Sequence, residues 1–238
     1  MIGQYAVEGA AGQTTGRVTD MWALLGLLAE NRTTLLSRNV VQSKIWADYD
    51  ARVDRFAYLL KDTRAKLCDA LGRPRSHGKY VIQNIGAAGY RINPELFTYD
   101  IWLLRDALAQ ARRVVDDERA SALTTAVGLF TGHYLPESPH SWGENASRTL
   151  DREIVQALAQ LAKLESDPES AVLHLEKATE LDPAAEHLYR QRMHLYAAMG
   201  RVEAVHHCYE QLNGELVLLG RKPESQTVDL YRQLAGKG

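Results

Sequence analysis

Apolar and polar positions along residues 20–92 change period twice, and the order of those changes organises the first half of the chain. From residue 20 to residue 30 almost every turn is apolar (Met21, Trp22, Leu24, Leu25, Leu27, Leu28), which predicts a helix buried on most of its sides. Ser37 stands where an N-cap belongs, before Arg38-Asn-Val-Val-Gln-Ser-Lys-Ile-Trp46, so a short second helix is expected there. A third helix is predicted over residues 50–71. Its apolar stripe is Val53, Phe56, Leu60, Leu67 and Leu71, and its opposite face carries Arg55, Tyr58, Lys61, Asp62, Ala65, Lys66 and Asp69. Gly72-Arg-Pro-Arg-Ser-His-Gly78 breaks that helix, and residues 79–92 then alternate as a hairpin with Gly86 and Gly89 in its turn. Residues 1–19 are small, polar and glycine-rich; the pattern predicts a weakly structured segment with at most one short strand around residues 4–7.

After Asn93-Pro94 the strand signal disappears. Helices are predicted over residues 100–116, 118–130, 142–164, 168–180, 184–199, 202–219 and 225–234, joined by short polar connections. A weak repeat runs through the second half: Ala171, Leu175, Ala178 and Asp182-Pro183 follow tetratricopeptide spacing, and Gly200-Arg-Val-Glu-Ala204 restarts the figure 33 residues after Ala171. Stacked helix pairs of that kind build a superhelix with a groove. The expected architecture is therefore mainly α. A 20–93 domain of helices and a small β-hairpin precedes an all-helical, tetratricopeptide-like domain over 96–236.

Composition narrows the functional classes. The 238 residues are 45% hydrophobic, enough for a core without staples. The longest apolar run, Trp22–Ala29, is far short of a membrane span, and no basic segment precedes it as in a leader peptide. Cys68 and Cys208 are isolated, which suits a reducing cytoplasm, and no Cys/His spacing suggests a metal. His206-His207 has no third ligand at suitable spacing, and His133 and His140 are similarly lone. There is no nucleophile elbow, no HExxH and no GxxxxGK[ST] loop, and Gly9-Ala-Ala-Gly-Gln-Thr-Thr-Gly16 lacks a lysine to hold phosphate. No cofactor is expected and catalysis is not. Charge is uneven: residues 50–91 carry nine Lys/Arg against four Asp, a net +5, whereas residues 92–238 carry fifteen against twenty-two, a net −7. One segment suits a polyanion; the acidic half repels one.

Two helices followed by a charged third helix and a glycine-pivoted hairpin is the order of a winged-helix DNA reader. The residues resemble the Streptomyces antibiotic regulatory protein family, which joins an OmpR-like winged helix to a bacterial transcriptional activator domain. Leu35-Leu-Ser-Arg-Asn-Val-Val-Gln-Ser-Lys-Ile-Trp46 resembles the family's second helix, and Ile82 to Ile92, ending Gly89-Tyr90-Arg91, resembles the wing. Asp100 with Ile101-Trp-Leu-Leu104 is similar to the opening of the activator domain, Leu123 to Leu135 with Leu129-Phe-Thr-Gly132 resembles its Leu-Trp-x-Gly segment, and Trp142 with Arg148 and Leu150 resembles the helix after it. The strongest match is residues 181–230, through Asp182-Pro183, Tyr189, Arg192-Met193, Tyr196, Gly200-Arg201, Tyr209, Leu219-Gly220 and Pro223. Three departures stand out. Nineteen residues before the first helix do not hold the family's four-stranded sheet, Lys61-Asp62-Thr63-Arg64 places a carboxylate on the exposed helix face, and Gly86 sits at the wing tip where arginine is common.

The resemblance implies a cytoplasmic transcription regulator, an activator in the family's usual mode. It binds double-stranded DNA, pairs as a homodimer on tandem repeats, contacts RNA polymerase through its helical domain, and has no membrane attachment. The candidate DNA-binding residues are Arg55, Tyr58, Lys61, Arg64 and Lys66 on the third helix, Arg73, Arg75 and Lys79 in the linker, and Arg91 in the wing. The bland alternative is a solvated helix of mixed charge and an ordinary polar loop, with Arg91 tied to backbone. A second functional alternative is a degenerate winged helix serving a protein- or effector-binding module, as part of a longer regulator. The helical half's aromatic residues (Trp102, Tyr134, Trp142, Tyr189, Tyr196, Tyr209, Tyr231) read as core before they read as a groove lining.

Overall fold

The computed structural model describes residues 2–15, 19–46 and 55–236. The chain divides into two compact units, residues 1–106 with 129–150, and residues 107–128 with 151–238. Compactness thus divides the chain elsewhere than at the 93–96 break in the sequence pattern.

The first unit begins with an antiparallel hairpin, β1 (Ala6–Gly9) and β2 (Gly12–Thr15), where a weakly structured segment was expected. The reason is tertiary. The Ala11 amide donates to the Ala70 carbonyl at 3.2 Å, and Gly9 lies so close to that carbonyl that a Cβ would sit 2.2 Å from its oxygen. A glycine there is a packing requirement, invisible to local periodicity. Ahead of the hairpin, Ile2 forms a bridge with Tyr134, its amide donating to Asp100 at 2.6 Å, and the Tyr5 hydroxyl donates to the Pro136 carbonyl at 2.9 Å.

Helix α1 (Asp20–Glu30) is buried from Met21 through Ala29, as its unbroken apolar pattern predicts. Its surroundings come from far along the chain. Tyr5 packs against Trp22, the Trp102 indole donates to the Ala29 carbonyl at 2.7 Å, and Gly26 faces the side chains of Leu135 and Trp142. Glu30 pairs with Arg105 and Arg32 with Asp106. Helix α2 (Arg38–Ile45) is capped by Ser37, whose hydroxyl accepts from the Val40 amide. Helix α3 (Arg55–Ala70) buries Phe56, Leu59, Leu60, Thr63, Leu67, Cys68 and Ala70 on one face; the expected start at residues 50–54, with Val53, lies outside the described residues.

The expected hairpin arm is shorter than the alternation suggested. Residues Gly78–Val81 form one helical turn, α4, followed by β3 (Ile82–Asn84) and β4 (Tyr90–Ile92) in antiparallel register, Gln83 opposite Arg91. Val81 and Ile82 are both fully buried, and a period of two cannot bury neighbours. The helix-to-strand switch between them solves that. Leu36 adds a backbone bridge to Tyr90 with bonds of 2.8 and 3.0 Å, and Phe56 meets the Tyr90 ring edge-on at 5.0 Å, so the wing is fastened both to the segment before α2 and to α3.

The remaining helices are α5 (Asp100–Ala111), α6 (Asp116–Leu129), α7 (Ser141–Leu164), α8 (Pro168–Leu181), α9 (Glu186–Ala198), α10 (Val202–Leu218) and α11 (Ser225–Ala235). In the second unit α8, α9, α10 and α11 pack each on the next, and α9 also on α11. Tyr189, Met193, Val205, Cys208, Leu212 and Leu216 form the core cluster of α9 and α10, with Tyr196, Tyr209 and Tyr231 packed against it. Burial raises the Cys208 thiol to about 11, leaving it protonated and inert. Buried Arg192 donates through its terminal nitrogens to Glu176, Thr179 and Gln211, while the buried carboxylate of Glu186 accepts from the Thr227 hydroxyl and the Glu224 amide, tying down the start of α11.

Candidate nucleic-acid interface

The exposed face of α3 follows from its 3.6-residue period: with Phe56, Leu60, Thr63 and Leu67 inward, Arg55, Tyr58, Lys61, Lys66 and Asp69 face outward. Tyr58 is 76% exposed, so its ring is available for contact instead of packing. Around the C-terminal end of this helix the linker brings Arg73, Arg75 and Lys79 to the surface, and β4 presents Arg91.

These cations are not equivalent. Lys61, Arg73 and Lys79 make no side-chain hydrogen bond or ion pair among the described residues, whereas the others are engaged. Arg55 lies over the Trp46 ring at 4.6 Å and 3.5 Å from Asp20, whose carboxylate also accepts the Trp46 indole N–H at 2.9 Å. Lys66 pairs with Asp62 at 2.8 Å across one helical turn. Arg75 grips Asp69 with two bonds, 2.8 and 3.1 Å; that contact holds the Asp69 carboxyl below its ordinary range and raises the guanidinium. Arg91 donates to the Gln83 side chain across the wing at 2.8 Å, not to backbone.

Arg64 is a correction. Its guanidinium donates through both Nε and Nη2 to the Ile82 carbonyl, and half-burial pulls its pKa down. It fastens α3 to the wing and does not belong to the outward row. The helical wheel carried the signal, since Arg64 falls between Leu60 and Leu67 at spacings of four and three. Replacing Arg64 by alanine is expected to cost about 2 kcal/mol by leaving a carbonyl without its charged donor; a urea titration measures it, and an unchanged midpoint refutes the assignment.

Sequence reasoning singled out Asp62 but missed the Asp69–Arg75 and Asp20–Arg55 pairs, which join separate elements. Among the described residues no group of three or more His, Cys, Asp or Glu side chains is placed to hold a metal, and no helix is long and apolar enough to cross a membrane.

Comparison with known proteins bears on both halves. The sequence profile described as "Bacterial transcriptional activator domain" matches residues 99–235. A solved structure of Mycobacterium tuberculosis EmbR in complex with a low-affinity phosphopeptide is similar with a TM-score of 0.68 and 17% sequence identity. The similarity covers 95% of this chain and 61% of that one, so the chain spans about three fifths of that relative's length. At that identity the likeness is one of fold. No curated protein matches by sequence.

Proposed function

We propose, from the premise that the chain belongs to the bacterial transcriptional activator domain family, that it is a cytoplasmic DNA-binding transcription regulator of the Streptomyces antibiotic regulatory type. Residues 20–93 are the reading part: α3 enters the major groove, and the linker and wing hold phosphates on either side. Residues 96–236 are the activator part, supporting a homodimer on tandem repeats and meeting RNA polymerase.

The observation that carries this reading is the outward row of α3 beside the linker. Lys61 stands uncompensated one turn from an exposed Tyr58 and Arg73 and Lys79 stand uncompensated in the linker that follows, beside a helix braced against a β-wing through Arg64 and Phe56. Phosphate contacts made by such side chains give affinity that falls with salt by about 0.9 log units per log unit of salt for each contact. Replacing Lys61, Arg73 and Lys79 together by alanine is expected to flatten the salt dependence of duplex binding by about 2 to 3 in that slope. Fluorescence anisotropy at several salt concentrations reads it, and an unaltered slope sinks the placement of the interface.

One observation favours a second reading, a module that binds a protein or small effector. Between helices α9 and α11 lies an open groove of 470 Å³ whose lining includes His187, Gln191, His194, Gln226, Asp229 and Gln233. Absence of any binding to random duplex near 50 mM salt selects that reading, since sequence-independent affinity is strongest there.

A further inference from the structure

We infer that Asp62 and Asp69 are internal competitors for phosphate, which lower the affinity of the α3 surface for arbitrary DNA and thereby raise its dependence on base contacts. The inference rests on the reading of that surface as a duplex-binding one.

Both carboxylates lie on the outward face of α3, seven residues apart and so two helical turns along the same row. Each clasps a cation nominated for phosphate: Asp62 holds Lys66 at 2.8 Å, and Asp69 holds Arg75 at 2.8 and 3.1 Å. All four side chains are substantially solvent-exposed, at 40% and 49% for the first pair and 50% and 71% for the second. Pairs this exposed add little to stability. Neither pair anchors a buried polar group or closes a core, in contrast to Arg64, whose half-buried guanidinium satisfies a backbone carbonyl. Their effect therefore falls on whatever approaches the surface.

A phosphate that comes within contact of Lys66 or Arg75 also comes within a few ångströms of Asp62 or Asp69, well inside the screening length of about 8 Å at physiological salt. Attraction to the ammonium or guanidinium is then largely cancelled by repulsion from its partner. A clasped cation also releases little condensed counterion when DNA binds. The salt dependence is consequently set by the uncompensated Lys61, Arg73 and Lys79, and the sequence-independent part of the affinity is kept small. Base-edge contacts from residues such as Tyr58 then carry a larger share of the total.

The test is a titration of the full chain against random-sequence duplex at 50 and 200 mM salt, for the wild type and for Asp62→Asn/Asp69→Asn. Freeing two cations steepens the salt slope by about 0.9 each, so the gain in affinity between 200 and 50 mM salt is expected to be about tenfold larger for the variant. A second variant removes the pairs entirely, Asp62→Asn/Lys66→Gln/Asp69→Asn/Arg75→Gln, and is expected to bind random duplex as the wild type does. Equal affinity and slope for the wild type and the double variant overturn the inference while leaving the DNA reading intact. A marked loss in the quadruple variant, folded by its melting curve, also overturns it, because Lys66 and Arg75 then already serve phosphate. No random-duplex binding by wild type or variants at 50 mM salt removes the DNA reading itself and this inference with it.

Discussion

Gly89→Ala lowers the stability of the protein by about 3 kcal/mol, the sum of left-handed backbone strain and a steric clash. Gly89 has φ 119°, and a Cβ there would lie 2.3 Å from the Leu36 carbonyl oxygen and 2.8 Å from the Ser37 nitrogen. Both obstacles are backbone, and neither can swing aside as a side-chain tip does. Relief requires the wing to move away from the bridge that Leu36 makes with Tyr90, and with it the edge-on contact between Tyr90 and Phe56 weakens. Gly86 supplies the internal control. It also has positive φ, at 56°, but no atom lies within 4 Å of its added Cβ, so Gly86→Ala costs only about 1 kcal/mol. Thermal or urea unfolding of the two variants ranks them. Equal losses would show that strain alone governs the turn and that the approach to Leu36 is unimportant.

A chain ended after residue 94 is expected to lose cooperative unfolding altogether. Helix α1 is buried along its length, and part of what buries it comes from later sequence: Trp102 donates to the Ala29 carbonyl, Leu135 and Trp142 face Gly26, and Arg105 pairs with Glu30. Removing these uncovers the side of α1 at Gly26 and Ala29, on a helix whose Trp22, Leu24, Leu25 and Leu28 are each at most 2% exposed in the intact protein. At about 1.5–3 kcal/mol for each large apolar side chain returned to water, the loss approaches the whole stability of a small domain. Near-UV circular dichroism and a broad, non-sigmoidal melt report the outcome. A sharp transition in the truncated chain would mean that α1 finds sufficient cover from α2 and α3.

The helices after residue 99 were legible in the sequence because they are long and periodic; the seven expected there are all present, with ends displaced by five residues at most. Ser37 read correctly as a cap because its chemistry is local. What was not legible depended on contacts between distant residues. The N-terminal hairpin owes its place to the carbonyl of Ala70, and nothing in residues 6–15 announces that partner. The helical turn Gly78–Val81 hides in an alternating pattern until two successive residues are seen to be buried. At the candidate interface, the spacing of Asp62 and Lys66 makes their pairing readable from sequence, whereas Arg75 reaches Asp69 only because the chain turns back after α3. Charge counting over residues 50–91 weighs every cation alike, since it does not tell clasped cations such as Lys66 and Arg75 from unclasped ones.

The way α1 is enclosed also bears on how such regulators can be recombined. Transplanting a new N-terminal head at Asn93-Pro94, the junction that composition suggests, would separate α1 from Trp102, Leu135 and Trp142, and the graft would inherit an unclothed helix. A working chimera has to carry residues 95–106 and 129–150 along with the head, so its seams fall inside α5, α6 and α7 and not in the connector. The exchangeable block of this architecture is thus discontinuous in sequence.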